Sequence, residues 1–322
     1  MTNRRAVGAA SAAIFLGPTH ETNNELGLQF RFLTGGILMQ RTLLAIVAVT
    51  FTVLYPLQAV HAEHHEGLGA ILAAQEHDVR ARYKHRHPQE TLEFFGIEPG
   101  MIVVDTLPGS VWYTGILMPY LGMEGKVIGA NYAVDLWPRM GYDNAEFLEG
   151  QKTWAADWTA KAESWGDVES ADVSAFVFGS LPKSMHGTAD AVLFVRALHN
   201  MAYPTPDARH LNAAIKDAHD ILKSGGIVGI VQHHARDSMS DKWSNGSNGY
   251  LKKSYVIDAM EAAGFEFVAE SEINANSKDA PTEEQFVWRL PPSYDGATSP
   301  EAKAAVDAIG ESNRMTLKFR KP

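Results

Sequence analysis

Four clusters of polar residues in this chain have the types and settings that chemistry needs. His199-Asn200 and His233-His234 each follow a short apolar run, as residues at the end of a buried strand do. A histidine with a pKa near about 6.5 can take a proton from a hydroxyl or an amine at neutral pH. Strand alternation turns only one of the second pair toward a cleft, and the register favours His233. Arg236 and Asp237 follow on the same rim. In the third cluster, Asp105 through Ser110, Gly109 lets a ligand approach the backbone, and a helix starting at Val111 offers free N–H groups. The fourth, Asn274, Asn276, Lys278 and Asp279, is either a substrate-facing loop or one whose side chains satisfy their own backbone. His199 likewise has a structural alternative, bonded to a loop carbonyl. Glu311 and Arg314 are spaced to form a structural ion pair.

Other chemistry is excluded or disfavoured. The chain has no cysteine, which removes disulfides, thiolate metal sites and cysteine nucleophiles. His64-His65-Glu66 lacks spacing to a second ligand pair, and His85 and His87 point apart on a helix, so no metal site is expected. Trp112, Trp137, Trp154, Trp158 and Trp165 either pack in the core or line an apolar acceptor pocket.

The elements that must position these residues are legible from periodicity. Residues 63–95 read as helical up to the break at Pro88, with a second short helix, Gln89 to Phe95, ending at Gly96. Strands are predicted at 101–104, 126–130, 174–178, 191–195, 227–231 and 265–269, alternating with helices at 111–121, 207–222 and 252–263. Residues 131–170 read as helix plus loop over the mouth of the sheet. Met315 to Phe319 alternates, which suits a sheet edge. Strands alternating with helices of this length make a doubly wound, mostly parallel sheet with helices on both faces. One domain over 63–322 is expected, and in such a sheet ligands bind beyond the carboxyl ends of the strands.

The chain also carries longer motifs: Phe94 through Met101, Asp105, Pro108-Gly109, Trp112-Tyr113-Thr114 and Pro119-Tyr120-Leu121. Further on stand Arg196 through Asn200, Leu222 through Gly226, Gly249-Tyr250, Ala262 through Phe265, Ser271 through Asp279 and Ile309 through Met315. Over residues 85–321 the chain resembles a bacterial group of predicted, often exported, class I S-adenosylmethionine-dependent methyltransferases. The resemblance implies a Rossmann-like sheet of seven strands with an antiparallel last strand, and S-adenosylmethionine over the first two. Its cofactor-binding residues would be Asp105, Pro108, Gly109, Ser110, Trp112, Tyr113 and Asn131. His199, His233 and Asn200 would face the methyl acceptor, and Arg196, Tyr250, Asn274 and Asn276 would bind substrate. The chain departs from the pattern at three points. Val111 stands in the glycine-rich loop, Gly115 replaces a usual Glu, and Asn131 takes the place of the acid that holds the ribose, with Asp135 as a substitute.

Met39-Gln40-Arg41, the apolar run Leu43 to Leu57 and the Val60/Ala62 small-residue pattern describe a signal peptide, 39–62, cleaved after Ala62. The run is shorter than the roughly 20 residues of a membrane span. Residues 1–38 read as an extension upstream of a start at Met39. Removing residues 1–62 takes four Arg and two Glu from 28 basic and 38 acidic residues, leaving 24 and 36, a formal charge of −12. That charge disfavours nucleic acid or an anionic membrane as partner and leaves a small molecule. The expected protein is therefore exported, periplasmic and not held at the membrane after cleavage. Its expected activity is methyl transfer to a small molecule. The alternative is a non-catalytic binding protein on the same scaffold; a nicotinamide enzyme would need G-x-G-x-x-G after the first strand, which is missing.

Overall fold

A computed structural model describes residues 67–109, 111–203 and 207–322. The expected extension, signal peptide and cleavage site, and Ser110, lie outside the described residues. Among the described residues, no helix is long and apolar enough to cross a membrane.

The strands are β1 (Ile102–Thr106), β2 (Lys126–Asn131), β3 (Asp172–Val177), β4 (Ala189–Val195), β5 (Leu222–Ala235), β6 (Leu251–Lys252), β7 (Glu266–Ser271) and β8 (Arg314–Arg320). Seven of them stand in the order β3-β2-β1-β4-β5-β8-β7, with the two-residue β6 beside the end of β5. β1 to β5 pair in parallel, and β8 runs antiparallel to both β5 and β7. This is the expected doubly wound α/β sheet. Strand order reverses between the paired strands β1 and β4, and the chain goes on from β1 to β2 on one side and from β4 to β5 on the other.

The central strands are apolar throughout because both of their faces are covered. Val103, Val127 and Leu193 point into one core, and Val104, Ile128, Val192 and Phe194 point into the other. Short helices α1 (Leu68–Ala74), α2 (His77–Arg80), α3 (Tyr83–Arg86) and α4 (Pro88–Phe95) lead into the sheet. They are followed by α5 (Thr114–Leu121), α6 (Ala145–Ala162), α7 (Leu198–Ala202), α8 (Arg209–Ile221), α9 (Lys253–Ala262) and α10 (Pro300–Ile309). The first core is closed by α1, α4, α5 and α6, the second by α8 and α9. Pro119 inside α5 has no N–H for the carbonyl of Gly115. The Gln75 amide, at the end of α1, donates to that carbonyl at 3.3 Å, which ties the leading helices to α5.

Three expectations need correcting. β8 is not at the edge: it lies between β5 and β7, and its alternating polar positions are accommodated inside the protein. Thr316 is wholly buried against the Asn274 amide (3.1 Å), and the Lys318 ammonium reaches the Phe94 carbonyl (3.2 Å). The long helix within 131–170 does not cover the sheet's mouth. As α6 it packs on the faces of β2 and β3, where a Cβ on Gly129 would sit 2.9 Å from the Trp158 ring. The helix expected from Val111 begins at Thr114, because Val111 itself is left-handed (φ 55°).

Candidate active site at the strand-order reversal

The loops leaving β1 and β4 flank the reversal, and both hold residues in a strained backbone. Leu107 (φ 53°) and Val111 (φ 55°) follow β1, and Arg196 (φ 57°) follows β4. A left-handed β-branched residue costs on the order of 1–3 kcal/mol and persists only where its surroundings enforce it. The enforcement is visible. Leu107 N–H donates to the Ala130 carbonyl at 2.7 Å, Arg196 N–H donates to Val231 at 2.7 Å, and Val111 N–H to Pro108 at 2.6 Å. Each loop is thus pinned to the next strand of the sheet.

Asp105, near the end of β1, is buried and accepts the Thr114 hydroxyl at 2.7 Å and the Thr114 backbone N–H. It caps α5, so the helix start expected to greet a ligand is already occupied. Burial raises its pKa to about 6, against the lowering effect of the Thr114 hydrogen bonds. Trp112 is wedged among the leading helices. Its indole N–H donates to Val79 (3.3 Å), Tyr83 meets its face edge-on, and the Arg86 guanidinium lies 4.8 Å from its ring. Tyr113 is buried, and its phenol is pushed up to about 12 by that burial. Pro108 and Gly109 form the loop between them, with Gly109 at φ 38°.

At the end of β2, Asn131 accepts the Tyr132 N–H (2.8 Å) and donates to Gln151 (3.0 Å). Beyond it, residues 133–136 and 177–180 line a cleft of about 450 Å³ with Arg209 and His210. Asp135 lines this cleft too, paired with Arg209 (2.6 Å) and His210 (3.1 Å). A second cleft of about 450 Å³ opens beside α7, between Ala202-Tyr203 and residues 241–255.

His199, on α7, is buried next to His233, with ring centres 5.2 Å apart; Trp288 is at 5.9 Å. Gln232 fixes its tautomer. The Gln232 amide N–H groups go to the carbonyls of Gly249 (2.9 Å) and His233 (3.4 Å), so its oxygen faces His199 Nδ1 at 3.3 Å. Nδ1 therefore carries the proton, and Nε2 is left as an acceptor. Burial, outweighing the Gln232 bond, lowers the His199 pKa to about 4, so the ring is neutral at physiological pH. His233 bonds Ser312 at 2.6 Å and is held well below the usual histidine range by burial, then by His199 and Arg196. The strand register buries His233, which was expected to face a cleft and lines neither of the two described above.

The remaining expected residues are engaged within the protein. Asn200 donates to the Tyr132 hydroxyl at 3.1 Å. Tyr250 lies beside His233 (ring centres 6.0 Å apart), but its hydroxyl is held between Asp279 (2.8 Å) and Arg289 (3.1 Å). Asn274 bonds Thr91 and Thr316, and Asn276 donates to the carbonyls of Ile309 and Glu311. These two stitch the loop after β7 to the segment before β8 rather than facing a cleft. Arg236 donates to the Pro281 carbonyl.

Sequence reasoning missed a cluster of charges. Glu311 is paired with Arg314 (3.2 Å), as expected, but also with Arg82 (2.6 Å) and Arg86 (3.3 Å). Arg82 and Arg86, spaced i,i+4, share one helical face, which is a signal the sequence did contain. Arg196 stands near this cluster, and its guanidinium makes no hydrogen bond or ion pair with any described residue. No group of three metal-ligating side chains occurs among the described residues.

The chain matches no family model and no curated protein. Solved structures similar to it include the [4+2]-cyclase SpnF, with 19% identity over 74% of this chain and 80% of that one, TM-score 0.45. Another is an S-adenosylmethionine-dependent methyltransferase from Aquifex aeolicus, 17% identical over 64% and 93%, TM-score 0.42. A third is an arsenic(III) S-adenosylmethionine methyltransferase from Chlamydomonas reinhardtii, 14% identical over 79% and 72%, TM-score 0.41. Likenesses this distant bear on fold alone, and the strand order carries the fold independently.

Proposed function

We propose that the protein is an S-adenosylmethionine-dependent methyltransferase acting on a small-molecule acceptor outside the cytoplasm. The observation that carries this reading is His199: a buried, neutral imidazole with a bare Nε2, placed just past β4 at the strand-order reversal. Ligands of open α/β sheets bind at that point. The cleft beyond β2 and β3, about 450 Å³, has room for a nucleoside. Asn131, at the end of β2, would have to release Gln151 to donate toward ribose hydroxyls. Asp105, Pro108, Gly109, Trp112 and Tyr113 lie at the end of β1 and in the loop after it. S-adenosylmethionine, when bound, supplies an electrophilic methyl group.

The chain's own residues supply positioning and proton handling. His199 Nε2 accepts the proton of an acceptor hydroxyl or amine, and Gln232 keeps the ring in the tautomer that can do so. The cleft beside α7 lies one turn from His199 and is the entry for the acceptor. Placement of the reacting groups accounts for the remainder of the rate. The signal-peptide pattern of residues 39–62 supports the extracytoplasmic setting.

A second reading, a binding protein on the same scaffold, is favoured by one observation: Asn131 carries no charge and spends its amide on Gln151 and Tyr132. Incubation with methyl-labelled S-adenosylmethionine and a panel of small hydroxyl and amine acceptors separates the two. The methyltransferase reading expects label in at least one product. Cofactor binding without transfer to any panel member favours the binding protein.

A further inference from the structure

Three guanidinium groups, Arg82, Arg86 and Arg314, reach one carboxylate, Glu311, within 2.6–3.3 Å, and the charge of a fourth, Arg196, acts on the same groups. The surplus is three positive charges in a place where Arg86, Arg314 and Glu311 are each no more than 5% exposed. Two N–H groups in this cluster are buried without any partner, Arg86 Nη2 and Arg196 Nε. After burial, the strongest influence lowering the Arg86 pKa is the charge of Arg196, and Glu311 offsets it only in part. Guanidinium donors buried and left unspent are costly, and an anion would satisfy them. The strained backbone of Arg196 (φ 57°) keeps its side chain there. Phenolic Tyr113 lies in the field of the same arginines, and His233 in the field of Arg196, Arg314 and Arg86, so the cluster borders the candidate active site.

We propose that Arg86 and Arg196 form a binding site for a carboxylate or phosphate group of a small-molecule ligand. The planar guanidinium fork suits either group and gives two-point recognition. The site stands on the charge cluster alone and does not require the methyltransferase reading. If that reading holds, the anion belongs either to the amino-acid end of the cofactor or to the acceptor.

The test is calorimetric titration of the intact protein with inorganic phosphate, alongside Arg196→Gln, Arg86→Gln and the control Arg320→Gln, which alters a surface pair with Glu266. Saturable phosphate binding is expected in the wild type and the control, weakened at least tenfold in Arg196→Gln. Without added anion, Arg196→Gln is expected to melt no lower than the wild type, because it removes a partly buried charge whose Nε has no partner. Absence of phosphate binding in the wild type would overturn the proposal. So would equal binding in Arg196→Gln, or a lower melting temperature of that variant with phosphate binding kept. Titrations with S-adenosylmethionine and with methylthioadenosine, which lacks the amino-acid end, locate the source. Loss of affinity for the first alone in Arg196→Gln assigns the anion to the cofactor. Unchanged affinity for both, with phosphate still binding the loaded protein, assigns it to the acceptor.

Discussion

Replacing His199 by Ala is expected to lower turnover about 10²–10⁴-fold while leaving S-adenosylmethionine affinity unchanged, the range found when a positioned general base is removed. The ring packs against His233 and Trp288 and bonds Gln232, all of them outside the β1 loop. The pH profile adds a sharper signature. Burial first, and Arg196 in addition, lower the His199 pKa to about 4, with the Gln232 bond opposing. The base form therefore persists well below the ordinary histidine range, and the acid limb of kcat/KM falls near pH 4 instead of near about 6.5. Steady-state kinetics of both proteins from pH 4 to 8 check this. Wild-type turnover from the variant, or a limb in the ordinary range, would reduce His199 to a structural imidazole. Stability follows the same group. An unfolded chain takes up a proton on this histidine below its ordinary pKa, whereas the folded protein resists until about 4. The stability contributed by the neutral ring is thus lost as pH falls through that window.

Glu311→Gln is expected to destabilise the protein by about 3–5 kcal/mol, because it leaves Arg82, Arg86 and Arg314 around an uncharged amide. For a domain of this size that is a drop in melting temperature on the order of 10 °C. Burial alone would raise the Glu311 pKa, but Arg86, Arg314, Arg82 and Arg196 overcome it and hold the carboxyl at about 2. Its folded pKa lies below its ordinary value of 4.5, so the contribution is full above that value and disappears as pH falls toward about 2. A second substitution, Arg86→Gln, removes one of the stranded cations and is expected to recover part of the loss. Thermal melts of the two single variants and the double variant measure the coupling. A Glu311→Gln protein as stable as the wild type would show that the cluster does not hold the C-terminal segment to the leading helices.

Those two sites differ in how far the sequence announced them. The central strands were readable because Val103-Val104 and Ala191 through Val195 face two cores, so every position is apolar. His199 and His233 were singled out by the same logic, since each lies within four residues of the end of such a run, although β5 continues through His233. β8 was misplaced because Thr316 and Lys318 look like solvent-facing positions. Their partners, Asn274 and the Phe94 carbonyl, come from distant parts of the chain. The helix after β1 started late because Val111 is left-handed, and Thr114, where it begins, bonds Asp105, nine residues earlier. The arginine cluster was hidden for the same reason. Arg82 and Arg86 are neighbours on a helix, but Glu311 lies 229 and 225 residues away. Their meeting depends on how the leading helices dock beside β8, and local periodicity carries no information about that.

The most direct test of the account is calorimetric titration of the protein with S-adenosylmethionine, with Asn131→Leu as the comparison. The account predicts saturable micromolar binding by the wild type and a loss of at least tenfold in the variant, whose side chain can neither donate nor accept. No binding by a folded wild type, or equal binding by both proteins, would contradict a cofactor seated beyond β2 and held by Asn131.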